Sequence, residues 1–179
     1  GETVARSPTA VRGYPSYVKK IIFPVSILPL VPLGAALVHA AFNFLVLAAV
    51  LAWTGHLSAG ILLFPLLIVP VLLLGIGAAW FLAAWGVFIK DMTQIVPLFV
   101  QMLLFLSPVF YPVSAVPPGL TFIYNANPIG AVIEAARAAM IGQPVPWGAW
   151  SAALTFGAAA ALLGHAFFQH SRDEFADAL

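Results

Sequence analysis

Four long apolar stretches without a single Asp, Glu, Lys or Arg constrain this chain more than any other feature. A hydrocarbon core about 30 Å thick needs about 20 apolar residues in an α-helix. Because a charge at the centre of a membrane helix costs about 2.5 kcal/mol or more on insertion scales, charges mark where a chain leaves the membrane. The sequence therefore predicts an all-α integral membrane protein, a single transmembrane domain over residues 1–179, with about four spans at 30–53, 61–89, 94–111 and 147–168.

Composition agrees with lipid as the main solvent. Hydrophobic residues make up 63% of the chain and charged residues 7%, whereas soluble domains carry about a quarter charged residues. The net charge of +1 and the lack of a Lys/Arg cluster argue against a nucleic-acid partner. The chain has no cysteine, which excludes disulfides, thiolate metal sites and a catalytic thiol.

The distribution of Lys and Arg predicts an orientation, because cytoplasmic flanks of membrane spans are enriched in them. With the N-terminus inside, both termini are cytoplasmic and Arg137 is the one basic residue outside. The outer loops are then Thr54–Ser58 and residues 112–146. Six basic residues lie on the cytoplasmic side: Arg6, Arg12, Lys19, Lys20, Lys90 and Arg172.

The long outer segment contains signals for a helical hairpin. Asn127 followed by Pro128 is typical of a helix N-terminus, and Gly142 followed by two prolines is typical of a stop. A helix between them is about 20 Å long and carries Glu134 and Arg137 one turn apart, so it is too short and too charged to cross. Pro117-Pro118-Gly119 interrupts any helix before this one. The segment from about 113 to 142 is therefore predicted to form a re-entrant or interfacial helical hairpin.

A short helix is also predicted at the inner face, over Ser16–Phe23. Its basic pair, Lys19 and Lys20, stands beside the aromatic residues Tyr14 and Tyr17. Such a segment can dock onto a soluble partner or lie on anionic lipid, and its composition does not choose between them.

No catalytic centre, cofactor site or metal site is predicted. The sequence lacks a G-x-x-x-x-G-K-[ST] phosphate loop, an H-E-x-x-H metal motif and a G-x-S-x-G nucleophile elbow. If this protein uses ATP, another chain must hydrolyse it.

Several polar groups inside or beside the spans have two interpretations. They can form hydrogen bonds between helices, or they can belong to a proton relay or a substrate contact. Glu134 and Arg137 can likewise be a gate or a simple helix-surface ion pair. The polar pairs that share a helix face are His39 with Asn43, Gln94 with Gln101, and His165 with Gln169.

Stretches along nearly the whole chain resemble the permease subunits of type-two ABC exporters for polysaccharides, the family of O-antigen, capsule and teichoic acid transporters. The residues that carry the resemblance are Tyr17 to Leu30, Lys90-Asp91, Ser107 to Pro112, Asn127-Pro128, Glu134 to Arg137, and Phe175-Ala176-Asp177. Family members have six spans, so the resemblance implies further N-terminal spans before Gly1.

The resemblance implies a function and a set of site residues. A homodimer of the chain would pair with two ATP-binding subunits and export a lipid-linked glycan across the bacterial inner membrane, without a cofactor of its own. The segment matching residues 15–23 would be a coupling helix seated on the ATP-binding subunit, and the coupling residues would be Tyr14, Tyr17, Lys19 and Lys20. The re-entrant hairpin would be organised by Asn127, Pro128, Glu134 and Arg137, and the translocation path would include Phe42, Phe44, Gln101, Phe105 and Tyr111.

Two alternatives remain open at this level. A permease of the same superfamily could export drugs or small lipids. An ATP-independent membrane enzyme could act on lipids with His39 or His165 as acid or base, although no second catalytic group stands at a recognisable spacing. A proton-coupled carrier is disfavoured because the spans contain no carboxylates.

Overall fold

The computed structural model describes residues 1–14, 24–109 and 127–175, and these residues form helices and no strand. Short 3-10 segments occur at Val25–Leu30, Ala59–Leu63 and Arg172–Glu174. The α-helices are α1 (Glu2–Ala10), α2 (Val31–Trp53), α3 (Phe64–Leu67), α4 (Val69–Phe88), α5 (Met92–Leu106), α6 (Pro128–Met140) and α7 (Trp147–Ser171).

Three helical stretches of the described chain are long and apolar enough to cross a membrane. They are Val25–Trp53, Ala59–Phe88 and Trp147–Glu174, and each includes a neighbouring 3-10 segment. A shorter apolar helix, Met92–Leu106, is the fourth candidate. The prediction of an all-α integral membrane protein is confirmed.

Proline positions explain where the second long stretch changes its geometry. The side chain of Ser58 accepts a hydrogen bond from the Gly60 N–H and so caps the 3-10 segment. Pro65 and Pro70 then occupy the first turns of α3 and α4, where a missing N–H costs nothing. The stretch therefore winds as a 3-10 segment, one turn of α-helix and then the long helix α4.

Helix α5 ends earlier than the predicted span of 94–111. Ser107 has φ −97° and ψ 146°, which is extended backbone. Its successor is Pro108, and a proline disfavours helical geometry in the residue before it. The described helix is consequently 15 residues long, about 22 Å along its axis.

The core of the fold is the contact between α4 and α7, and glycines make it close. A Cβ added to Gly77 would overlap the Ala160 carbonyl, and one added to Gly164 would overlap the Gly77 carbonyl. In lipid the hydrophobic effect does not drive helices together, so this backbone-level packing supplies much of the attraction.

Helix α1 completes the bundle by packing on α4 and α5. A Cβ on Gly86 of α4 would overlap the Pro8 carbonyl of α1, so these two elements also touch through their backbones. At this end of the bundle a buried apolar group, which we call the lower cluster, joins α1, α4, α7 and the C-terminal segment. Its members are Val11, Ala83, Ala84, Val87, Phe168 and Phe175.

Helix α2 is different from the others. None of its 23 residues is buried against another described residue. Its most extensive contacts are with α1 and with the 3-10 segment Val25–Leu30, and Phe44 also stacks on Phe64 of α3.

Candidate functional site

Two predicted hairpin residues, Asn127 and Arg137, both reach the end of α5. The Asn127 Oδ1 accepts a hydrogen bond from the Ile129 N–H at 3.0 Å, so Asn127 is the N-cap of α6. Its Nδ2 donates to the buried Ser107 Oγ at 3.0 Å. The Asn127 side chain thus caps α6 and connects it to Ser107, the residue that follows α5.

The second tie comes from the opposite charges of α6. Glu134 and Arg137 form an ion pair one turn apart, each with 34% of its side chain exposed. The Arg137 Nη2 also donates to the Pro108 carbonyl at 2.9 Å. We call Ser107, Pro108, Asn127, Glu134 and Arg137 the α5–α6 clamp.

The other side of α6 packs against the beginnings of two spans. Leu67 of α3 is buried with Ala135 and Ala139 of α6. The indole Nε1 of Trp150, in α7, donates to the Leu67 carbonyl at 3.1 Å. A Cβ on Gly60 would overlap the Ala139 carbonyl, so α6 also touches the 3-10 segment Ala59–Leu63 through its backbone.

The predicted stop of this helix has a direct geometric cause. Helix α6 ends at Met140, and Gly142 has a φ of +72°, a conformation that favours glycine. A Cβ there would lie 3.4 Å from the Ser58 Oγ, which places the loop after α6 beside the loop after α2. The described part of the predicted outer segment 112–146 therefore meets the predicted outer loop Thr54–Ser58 at one end of the bundle.

The residues predicted to couple the chain to a partner fall mostly outside the described part. Tyr17, Lys19 and Lys20 lie outside it, whereas Tyr14 is described and exposed. Val11, just before the segment, belongs to the lower cluster, and Val25, just after it, packs against the same cluster. The Trp80 Nε1 donates to the Ser26 carbonyl at 2.9 Å and holds the second flank on α4.

The predicted path residues are distributed over two helices. Phe42 on α2, and Gln101 and Phe105 on α5, are exposed in this chain. Phe44 is half-buried and stacks on Phe64 of α3, with ring centroids 4.5 Å apart. Tyr111 lies outside the described residues.

The intramembrane histidines have different surroundings. His165 lies against Trp80, with ring centroids 4.5 Å apart, and its Nε2 is 3.5 Å from the Gln169 Nε2. Its Nδ1 is buried and has no hydrogen-bond partner among the described residues. The Nδ1 of His39, in contrast, lies 3.6 Å from a carboxylate oxygen of Glu2.

Sequence reasoning missed the groups that receive these contacts. Ser107 and the Pro108 carbonyl are 20 and 29 residues away from their partners in the hairpin. Trp80 and Trp150 gave a weak indication of long-range hydrogen bonds, because a buried indole N–H usually finds an acceptor. The sequence does not indicate which carbonyl accepts the bond.

Comparison with known families decides the class of protein. The family model described as ABC-2 type transporter matches residues 2–141, which extends from α1 to the end of α6. The chain belongs to the ABC-2 type transporter family. A search of curated proteins found no match.

As an ABC-2 permease domain, the chain is the membrane component of a transporter and works with an ATP-binding subunit. It is a multi-pass membrane protein. The matched range includes all five residues of the α5–α6 clamp. Helix α7 follows the matched range and forms the close contact with α4.

Proposed function

We propose that this ABC-2 permease exports a lipid-linked polysaccharide across the bacterial inner membrane, as a homodimer bound to two ATP-binding subunits. The proposal rests on the resemblance to polysaccharide exporters, which includes the residues of the α5–α6 clamp. The single observation that favours it is that Asn127 and Arg137 both hold the end of α5. Because α6 is fixed to the end of α5, it can form a cap over the translocation path. Such a cap suits the export of a bulky amphiphile.

Exposed aromatic residues are consistent with a glycan substrate. Phe42 projects from α2, and Phe99 and Phe105 belong to α5. Sugar rings stack on aromatic faces, and a bundle that conducts a glycan needs such faces along its route. The same side chains would also suit an apolar drug or a small lipid, which is the alternative function.

Deletion of the gene separates the two substrates. If the chain exports a polysaccharide, the deletion removes glycan from the cell surface and leaves lipid-linked glycan inside. Complementation with the wild-type gene restores the surface glycan. Unchanged surface glycan, together with increased sensitivity to lipophilic drugs, would replace this proposal with the alternative.

A second experiment tests the proposed coupling segment. We expect that changing Tyr17, Lys19 and Lys20 together to alanine abolishes co-purification of the ATP-binding subunit from detergent extracts. A matched control replaces Lys90, which is exposed between α4 and α5, with alanine. Retained binding in the triple variant would remove the coupling role from this segment.

A further inference from the structure

Phe175 is one of the residues that carry the resemblance to exporters, and the function proposed above gives it no role. Its side chain is fully buried, with 0% of its surface exposed. Its ring meets the ring of Phe168 in α7 edge-on, with centroids 5.3 Å apart, and lies 6.0 Å from the ring of Phe88, the last residue of α4. The C-terminal segment therefore contributes a large apolar side chain to the packing at the ends of α4 and α7.

The residues just before Phe175 indicate where this packing lies. Arg172, Asp173 and Glu174 are exposed and form a 3-10 turn after α7, and the Phe175 N–H donates to the Arg172 carbonyl. Three consecutive exposed charges are typical of a point where a chain has left the hydrocarbon, because each charge is costly inside it. Phe175 thus returns from an aqueous end of the bundle into the lower cluster.

The lower cluster also receives both flanks of the proposed coupling segment. Val11, which follows α1, is fully buried and is a member of the cluster. Val25, the first residue of a 3-10 segment, packs against the cluster from the other flank. Val11 and Phe175 are the two members that α4 and α7 do not supply. One apolar group therefore holds the chain on both sides of residues 12–24.

Backbone hydrogen bonds extend this hold toward the segment. The N–H of Tyr14, the described member of the proposed coupling residues, donates to the Val11 carbonyl at 3.1 Å. On the other flank, Trp80 packs against the lower cluster, and its indole donates to the Ser26 carbonyl. The positions of both flanks consequently depend on the packing of the cluster.

The consequence of losing the Phe175 ring follows from what surrounds it. Truncation of a buried side chain leaves a cavity, because the neighbouring groups collapse into it only in part. The cluster members on α4 and α7 are held independently, by the close backbone contact of these helices at Gly77. Val11 and Val25 are the packed residues nearest the proposed coupling segment, so we expect the disturbance to reach its two ends.

We propose that Phe175 is a positioning residue, which holds the two flanks of the coupling segment in the arrangement that binds the ATP-binding subunit. The inference deepens the proposed function and rests on it for one clause, that the residues between the flanks contact this subunit. It does not depend on the transported substrate. When only part of the chains have the binding arrangement, the apparent affinity falls by that fraction. Packing of the C-terminal segment thus sets the affinity for the ATP-binding subunit.

The first measurement tests the hold on the flank without a partner. The chain has no cysteine, so an Arg12→Cys variant carries a single spin label beside Val11. We expect F175A to increase the mobility of this label in the electron paramagnetic resonance spectrum of the detergent-solubilised protein. The matched control is L67A, because Leu67 is also fully buried but packs against α6. L67A should leave the mobility of the label unchanged.

The second measurement is the dissociation constant between the purified protein and its ATP-binding subunit, at a temperature at which every variant is folded. We expect F175A to raise it about tenfold, which corresponds to flanks that are correctly placed in about one chain in ten. F175L keeps an apolar side chain of similar volume and should raise it by about threefold or less. L67A should lower the melting temperature, as F175A does, and leave the dissociation constant within about twofold of the wild type.

The comparison of the two truncations separates positioning from general stability. If F175A and L67A raise the dissociation constant equally, Phe175 acts only through the stability of the fold, and the proposal is wrong. An unchanged label at Arg12→Cys in F175A would also overturn it. Should F175A fail to fold, F175L decides alone, since a wild-type dissociation constant together with unchanged label mobility in F175L rejects the proposal.

The triple alanine variant of Tyr17, Lys19 and Lys20 distinguishes this inference from the proposed function. If the triple variant loses the ATP-binding subunit and F175A binds it as the wild type does, the coupling segment stands and the role of Phe175 is rejected. If the triple variant keeps the subunit while F175A increases the label mobility, Phe175 holds the flank but the coupling role of the segment is rejected. Neither measurement involves a glycan, so the polysaccharide substrate is tested separately by the gene deletion.

Discussion

Arg137 joins two helices through contacts of two kinds, an ion pair with Glu134 and a hydrogen bond to the Pro108 carbonyl. We expect R137Q to destabilise the protein, because the carbonyl loses its charged donor and Glu134 loses its partner. The pair is one-third exposed, so solvent screening reduces the loss to about 1–2 kcal/mol. That corresponds to a fall of about 2–8 °C in the melting temperature of the detergent-solubilised chain, measured with a dye-based assay.

The matched control for this prediction is R172Q. Arg172 also forms an ion pair, with Asp173, but both side chains are mostly exposed. Exposed pairs contribute about 0–1 kcal/mol, so the control should melt within about 4 °C of the wild type and shift less than R137Q. Equal shifts in both variants would show that Arg137 does not brace α5.

The α5–α6 clamp also shows which contacts can be predicted from the sequence and which cannot. The capping role of Asn127 follows from local rules, since an Asn before a Pro and an apolar run is a helix start. The acceptor of Arg137 does not follow, because Pro108 is 29 residues away and its carbonyl has no sequence signature. The same is true of Glu2 and His39, whose contact depends on how α1 lies against α2.

At the scale of the elements, glycines set the distance between α4 and α7. A methyl group at Gly77 would overlap the Ala160 backbone, whereas one at Gly75, on the same helix, meets nothing within 4 Å. We expect G77A to destabilise the protein by about 1–3 kcal/mol, the usual cost of overpacking. G75A should be neutral or stabilising by up to about 1 kcal/mol, because alanine is the better helix former.

Thermal unfolding of G77A and G75A in the same detergent checks this pair. The comparison removes any general effect of adding a methyl group to α4. If the two variants melt at the same temperature, α4 and α7 do not approach at Gly77 as described. Small residues such as Ala160 and Gly164 of α7 suit close packing, but the sequence does not indicate that Gly77 of α4 is their counterpart.

The 3-10 segment Val25–Leu30 is held by Trp80 through the Ser26 carbonyl. Because this segment follows the proposed coupling residues, we expect W80F to lower the affinity for the ATP-binding subunit about fivefold, equivalent to the ~1 kcal/mol of one hydrogen bond. W150F is the matched control, since it removes an indole bond to the Leu67 carbonyl beside α6. Biolayer interferometry with the purified subunits measures both, and an equal loss of affinity would contradict a local effect of Trp80.

The boundaries of the helices show why apolar runs alone do not determine the length of each helix. Apolar runs predicted the long helices to within a few residues, because lipid requires continuous apolar surface. The predicted span 94–111 extended beyond the described end of α5 at Leu106, since an apolar run does not reveal that Pro108 forces Ser107 into extended backbone. Proline therefore determined the length of α5, and with it the position of the α5–α6 clamp.

At the scale of the whole molecule, the two ends of the described bundle are built from different elements. One end combines the loop at Ser58, helix α6 and the start of α7, and the other combines Val11, Val25 and Phe175 in and around the lower cluster. The α5–α6 clamp and the flanks of the proposed coupling segment thus lie at opposite ends of α4. A transporter that is driven by ATP on one side and releases substrate on the other needs this separation.

The absence of cysteine allows a direct test of which end is cytoplasmic. We expect a Lys90→Cys variant to react with a membrane-impermeant maleimide in inverted inner-membrane vesicles and not in spheroplasts, because basic residues accumulate on the cytoplasmic side. A Thr54→Cys variant should show the opposite pattern, since Thr54 directly follows α2, is separated from Lys90 by one span, and is exposed. Labelling before and after permeabilisation controls for reactivity of each thiol. If Lys90→Cys reacts in spheroplasts, the proposed coupling segment faces away from ATP, and both the predicted orientation and the proposed direction of export are wrong.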